Sequence, residues 1–243
     1  MEYEAVGDEY QRLTKYARGK LSGGGMWRTP RPSLRKVYER PLKVIRLPRP
    51  QFADGLSLWE ALQRRRSMRS YKPTPLSLDE LSHLVWATQG TTLEVGGHKL
   101  RTAPSAGALY PVETYLLVNR VEELAPGLYH YDALAAELQH IRAGNLGADA
   151  TSAALGQSMV EEAAVVFMWT AIVERSKWKY AERAYRYIYM DAGHIGQNLY
   201  LAASALGLGC CTIGAFYDDE VDRLLGIDGV GETAIYMGCV GRL

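Results

Sequence analysis

Cysteine is scarce in this sequence: only Cys210, Cys211 and Cys239 occur. None forms a C-x-x-C pair, and adjacent cysteines rarely bridge each other. A disulfide framework is therefore excluded, and reduced thiols in a cytoplasmic protein are expected. No G-x-G-x-x-G fingerprint and no Walker loop occur, which removes the Rossmann and P-loop routes to a nucleotide. No H-E-x-x-H and no Cys/His cluster at zinc spacing occur, so no metal site is expected. A G-x-S-x-G nucleophile elbow is also absent. The opening MEYEAVGDEY is acidic and has no apolar stretch, so no secretory signal is expected. The longest apolar run, residues 163–173, is too short to cross a bilayer, and no membrane partner is expected.

What remains is an ordinary globular composition, 47% apolar and 23% charged, which argues against disorder of the whole chain. With 243 residues, one large domain or two small ones can bury a substantial core. The net charge of +1 hides an asymmetry. Residues 12–49 carry twelve Lys/Arg and one acid, Glu39, leaving 16 basic and 26 acidic residues elsewhere. Such an arm can bind nucleic acid or an acidic partner. It lacks the regular aromatic interleaving of a single-strand binder, so the favoured reading lays it across its own acidic body or a sister subunit, with no nucleic acid bound. Residues 10–21 suit a helix, Ser22–Gly25 breaks it, and prolines at 30, 32, 41, 48 and 50 make the stretch extended. Residues 1–55 thus read as an arm and 56–243 as the compact domain.

Within the body, Ser57-x-x-Glu60 and Ser77-x-x-Glu80 read as capping boxes opening two helices, the first ending near Arg66. Strands are expected over 113–118, 127–131, 138–141, 164–170, 210–215 and 233–240. Ile188, Ala192, Ile195, Leu199, Ala202 and Leu206 form a stripe along a long helix over 180–206. Gly193 and Gly196 lie within it. Glycine costs a helix about 1 kcal/mol relative to alanine, so both suggest close backbone approach. The helix is either the spine of the domain or a dimer seam. The element pattern indicates α+β or α/β.

Three segments carry chemistry. RRSMRSY, residues 65–71, offers guanidinium forks and a hydroxyl to a phosphate. Alone, it reads better as a solvated basic face at a helix C-terminus. TAPSAGALYPVE, residues 102–113, is small enough for backbone to approach a flat ligand, yet alone it is a plain turn. KWKYAERAYRYIYMDAGH, residues 177–194, holds Lys179, Tyr180, Arg183 and Arg186, of which lysine and tyrosine can move a proton. Its plainer reading is a basic, amphipathic helix start, with His194 a structural histidine.

In this order the segments resemble the nitroreductase fold, and more closely its SagB-type dehydrogenase branch, which includes flavin oxidases that turn azolines into thiazoles and oxazoles on peptides. The resemblance covers nearly the whole chain. PSAGALYP, GLYHYD and the AGH-x-x-QN helix carry it more specifically than RRSMR. It implies an α+β nitroreductase-like fold: a central mixed sheet of about five strands flanked by helices, a long central helix, and an intertwined homodimer.

The resemblance also implies site residues. Arg65, Arg66, Ser67 and Arg69 would hold the phosphate and ribityl chain of FMN. Pro104, Ser105, Ala106 and Gly107 would reach the flavin from the partner subunit. Gly214 and Ala215 would place backbone N–H groups near flavin N5, and Gln157, just before a strand, would touch the ring edge. Lys179 and Tyr180 look like the proton-removing pair of the azoline oxidases. Arg242 matches the basic phosphate ligand that many members carry on a tail beyond the last strand. The expected activity is hydride transfer through FMN, on a small-molecule or peptide substrate. The direction stays open between azoline dehydrogenation and reduction of nitro or quinone compounds with NAD(P)H as diffusible donor. A catalytically silent flavin-binding scaffold, docked through the basic arm, is the alternative outside enzymology.

Overall fold

The computed structural model describes residues 5–18, 30–51 and 55–243. Strands β1 (Lys43–Arg46), β2 (Thr91–Val95), β3 (His98–Arg101), β4 (Val112–Val118), β5 (Gly127–Asp132), β6 (Glu137–Ala143), β7 (Val165–Ile172), β8 (Leu208–Ile213) and β9 (Glu232–Arg242) are interspersed with helices. These are α1 (Val6–Leu13), α2 (Leu58–Arg64), α3 (Leu78–Gln89), α4 (Gly147–Ala153), α5 (Met159–Glu162), α6 (Val173–Tyr180), α7 (Ala184–Ala205) and α8 (Asp218–Leu225). Seven strands form one sheet in the order β1-β6-β5-β4-β7-β9-β8, and β2–β3 is a separate hairpin. The nitroreductase-like α+β arrangement is present, with a larger sheet than the five strands expected. Its ladders are antiparallel, and parallel pairing enters through the isolated bridges Ser67–Cys210 and Leu76–Val121.

The central strand β4 explains the layering. All seven of its residues are buried, and successive side chains serve opposite faces. Val112, Leu116 and Val118 pack with Leu81, Leu84 and Val85 of α3 and with Ile195, Leu199 and Ala203 of α7. Tyr115 and Leu117 face α4, α5 and α8 through Ala150, Val160, Val221 and Leu224. Burying each such aliphatic side chain is worth about 1.5–3 kcal/mol, so the sheet and its two helical layers hold each other. Both capping boxes form, Glu60 N to Ser57 Oγ at 3.3 Å and Glu80 N to Ser77 Oγ at 3.2 Å.

The long helix is shorter than the stripe suggested. It runs from Ala184, because the chain breaks at Ala181, whose φ of 47° no helix tolerates. Residues 173–180 form the separate α6. Of the two glycines, only Gly196 marks a close approach: a Cβ there would lie 2.6 Å from the Tyr236 ring on β9. Gly193 faces open space. No helix among the described residues is long and apolar enough to cross a membrane.

The arm folds onto its own chain. Its helix is Val6–Leu13 rather than 10–21, and the Ser22–Gly25 break lies outside the described residues. Strand β1 pairs with β6. Arg35 binds Asp132 at 2.6 and 2.8 Å, and Lys36 meets Glu232 at 2.5 Å and the Tyr115 hydroxyl at 2.6 Å. The Ser33 carbonyl accepts from Arg175 at 2.7 Å. Arg183 and Arg186 grip the Thr14 carbonyl and hydroxyl at 2.6 and 2.8 Å. The basic arm therefore lies over polar groups of the sheet and of the α6–α7 region.

Candidate active site

The RRSMR segment leaves α2 and runs beside the edge strand β8, where Ser67 bridges Cys210 and Met68 N donates to the Cys210 carbonyl at 2.9 Å. This places the Ser67 hydroxyl 2.9 Å from the Tyr200 hydroxyl of α7, and the Arg65 guanidinium 5.1 Å above the Tyr200 ring. Thr212 N donates to the same hydroxyl at 3.0 Å, and Tyr236 donates to Thr212 Oγ1 at 2.7 Å. Arg65 and Ser67 thus stand over a relay of hydroxyls, with their own tips partly or fully in solvent. Arg69 is exposed nearby in sequence, whereas Arg66 folds back on the Gln63 and Arg65 carbonyls at 3.1 and 2.8 Å.

Strand β8 ends at Ile213, so Gly214 and Ala215 lie in an exposed loop rather than in the strand expected over 210–215. A Cβ on Gly214 would meet nothing within 4 Å, which leaves room for a flat group against the backbone. Gln157 precedes α5 rather than a strand, and its amide donates to the Ala215 carbonyl at 3.0 Å. Arg242 stands apart in role. Both its Nη atoms bind the Glu80 carboxylate, at 2.7 and 2.8 Å, so its fork is spent on the cap of α3.

The Pro-Ser segment lies at the other end of α7. Ser105 Oγ donates to Asp191 Oδ2 at 2.6 Å, and Ala106 N donates to Asp191 Oδ1 at 3.2 Å. Ser105 Oγ in turn accepts from Tyr110 N at 2.9 Å. The backbone between is left-handed at Gly107 (φ 66°), Ala108 (φ 50°) and Tyr110 (φ 44°). Gly107 makes room here: a Cβ would lie 2.6 Å from the Tyr180 hydroxyl and 3.1 Å from Lys179 Nζ, so those side-chain ends would have to shift. The structure therefore seats Lys179 and Tyr180 on the Pro-Ser segment of the same chain. Lys179 Nζ lies 5.4 Å from the Tyr180 ring centroid, and the Tyr180 and Tyr187 rings meet at 4.6 Å.

A buried ion cluster supports this end. Arg175, one turn before Lys179, donates to Glu113 Oε1 at 2.6 Å and to the Tyr110 carbonyl at 3.1 Å. His130 Nε2 holds the other carboxylate oxygen at 2.8 Å. Burial pushes the Glu113 carboxyl up, but the His130 hydrogen bond and the Arg175 charge outweigh it and hold it below the usual range. Asp191 behaves oppositely. Its burial outweighs the hydrogen bonds from Ser105 and Ala106, so its carboxyl is raised.

The two groups are anchored at different points of α7. Asp191 and Tyr200 are nine residues apart, about two and a half helical turns and about 14 Å, so their side chains leave α7 on opposite sides. Sequence reasoning missed Asp191, Tyr200, Thr212 and Tyr236. Asp191 had a signal, an acid one step from the apolar stripe of Ile188 and Ala192. The three hydroxyls had none.

Residues 62–242 match the nitroreductase family. The chain is 40% identical over 189 residues to the nitroreductase-like protein MJ1384 of Methanocaldococcus jannaschii, covering 78% of this chain and 92% of that one. It is 31% identical over 180 residues to the trifolitoxin-processing protein TfxB of Rhizobium leguminosarum bv. trifolii, covering 70% of this chain and 48% of TfxB, so it spans about half of that relative. A nitroreductase-like structure from Ralstonia eutropha JMP134 superposes with a TM-score of 0.71 at 27% identity, covering 88% of this chain and 98% of that one. An FMN complex of a nitroreductase-like protein from Desulfovibrio desulfuricans shares the fold, with a TM-score of 0.54 at 18% identity over 76% of this chain and 85% of that one. By the length of the family match and the identity to MJ1384, this chain belongs to the nitroreductase family.

Proposed function

We propose that this protein is an FMN-dependent dehydrogenase of the SagB type, acting on azoline rings of a peptide, with each site shared by two copies of the chain. The observation that carries the reading is the seating of Lys179 and Tyr180 on the Pro104–Gly107 segment, on the far side of α7 from Arg65 and Ser67. A ligand that touches both groups does so across two chains. The exposed Leu58, Trp59 and Leu62 of α2 and Tyr189 and Met190 of α7 supply apolar surface for that homodimer.

The residues present fit FMN. Arg65, Ser67 and Arg69 provide charged and hydroxyl donors for the phosphate and ribityl chain. The open backbone at Gly214 and Ala215 admits a planar ring, with Gln157 tied to the same loop. Arg66 spends only Nη1 on the Gln63 and Arg65 carbonyls and keeps its other donors for the phosphate, whereas Arg242 is left out of this role, since both its Nη atoms bind Glu80. When bound, FMN supplies a hydride acceptor at N5, and oxygen restores it. Lys179 and Tyr180 take the proton that the azoline ring releases as it loses hydride. The Pro-Ser segment holds them in place, and TfxB, named for trifolitoxin processing, supports a processing role.

A second reading, reduction of nitro or quinone compounds with NAD(P)H, is favoured by the likeness to MJ1384 along nearly its whole length. An absorbance spectrum of purified protein, then NADH and NADPH titration under nitrogen, separates the two. Flavin absorbance that neither nucleotide bleaches is expected for the dehydrogenase. Bleaching by either supports the reductase. Added FMN at one hundred times its Kd should stabilise the fold by about 2.7 kcal/mol. Colourless protein with an unmoved thermal midpoint would remove both readings.

A further inference from the structure

We propose that Asp191 is the positioning residue for the Lys179–Tyr180 pair, acting through Ser105 and Ala106 rather than on substrate. The inference rests on the proposed role of that pair. Asp191 lies on the inward face of α7 and is only 4% exposed. A buried carboxylate at a helix surface is costly unless its oxygens are bonded, and here each oxygen accepts one bond from the Pro-Ser segment. These two bonds, with Ser105 Oγ accepting from Tyr110 N, fix both ends of the stretch 107–110, which is left-handed at Gly107, Ala108 and Tyr110. Local preference does not hold that stretch: Ala108 and Tyr110 have positive φ, which side-chain-bearing residues adopt at a cost of about 1–3 kcal/mol each. Asp191 therefore holds Gly107 where a Cβ would lie 2.6 Å from the Tyr180 hydroxyl and 3.1 Å from the Lys179 amine.

The chemistry of the substitution separates geometry from charge. Asp191→Asn keeps one oxygen for the Ala106 N–H, and its NH2 can donate to Ser105 Oγ, which still accepts from Tyr110. Asp191→Ala removes both anchors. Misplacing a reactive group by about 1 Å can cost on the order of a hundredfold in rate. The expectation is a loss of about tenfold or more in kcat for Asp191→Ala with KM little changed, and a loss within about threefold for Asp191→Asn.

Two readouts that a merely structural role would not move decide the matter. The first is a double-mutant cycle. On a Lys179→Ala background, Asp191→Ala should cost almost nothing further, because the pair it positions is already disabled. Additive losses overturn the proposal. The second needs no flavin: the rate at which Lys179 is acetylated by acetic anhydride, followed by peptide mass spectrometry in purified protein. Release of the Pro-Ser segment should raise that rate about threefold or more in Asp191→Ala and leave it near wild type in Asp191→Asn. An unchanged rate in Asp191→Ala, or equal rises in both variants, overturns the positioning role. Protein that binds no flavin sinks the proposed function alone, since the labelling comparison still decides whether Asp191 holds the pair.

Discussion

The two ends of α7 are built on different principles. At the Tyr200 end, Arg65 and Ser67 present their tips outward over a relay of hydroxyls. At the Asp191 end the carboxylate is buried, the backbone is forced left-handed, and the side-chain tips facing Gly107 leave no room for a Cβ without moving. A phosphate can be gripped by exposed, adjustable donors, because charge attraction is forgiving of position. Proton transfer is not forgiving, and needs groups locked by a supporting shell. The comparison implies that changes at the first end alter affinity, while changes at the second alter rate or stability.

The largest test strikes the support beneath the second end. Glu113 is the counter-charge for buried Arg175, which also holds the Tyr110 carbonyl. Glu113→Gln leaves that guanidinium uncompensated and should cost about 3–5 kcal/mol, read as a fall in the denaturant midpoint. The same logic gives an acid dependence. The folded-state carboxyl is held low, so its contribution is present above the ordinary glutamate range and is lost as pH falls through the depressed value. A variant as stable as wild type would mean that the second end does not depend on this ion pair.

A smaller effect separates rate from folding. Gly107→Ala sets a methyl against the far ends of Tyr180 and Lys179, which can swing away while the backbone stays. Stability should drop by only about 1 kcal/mol for the positive φ, yet kcat should fall on the order of a hundredfold with flavin retained. Unchanged turnover in flavin-loaded protein would remove the pair from the chemistry.

Much of this frame was legible. The buried strand β7 announces itself as a nearly continuous apolar run, β4 and β9 by apolar β-formers in part of their length, and both capping boxes form where Ser57 and Ser77 place them. Strand β1 was hidden because Lys-Val-Ile-Arg sits between prolines in a basic arm, and only pairing with β6 makes it a strand. The β2–β3 hairpin carried an unread signal, Gly96–Gly97 between two β-rich runs. The break at Ala181 had none, since Lys-Tyr-Ala-Glu-Arg suits a helix and tertiary packing imposes the turn. The site was readable as separate motifs. Their arrangement was not, because Asp191 to Ser105 and Tyr200 to Ser67 span 86 and 133 residues of chain.

At the first end, Arg65→Ala should weaken FMN binding about tenfold to a hundredfold, one charged donor's worth, and leave kcat at saturating flavin nearly unchanged. A matching loss in kcat would erase the distinction between the ends. The smallest effect sharpens it most. Because the Asp191 carboxyl is raised, the folded protein binds its proton more readily than the unfolded chain does. Its contribution to stability is therefore present below the ordinary aspartate range and is lost as pH rises through the raised value. A neutral Asp191→Asn should then match or exceed wild-type stability at neutral pH, by less than about 1 kcal/mol, and the difference should vanish in acid. Thermal midpoints across pH would show this crossing. If the asparagine variant is instead destabilised at neutral pH, the charged carboxylate stabilises the fold there. If the crossing appears, what Asp191 contributes at this end is its pair of hydrogen bonds to the Pro-Ser segment, which the amide reproduces, and the charge itself is carried at a small expense in stability.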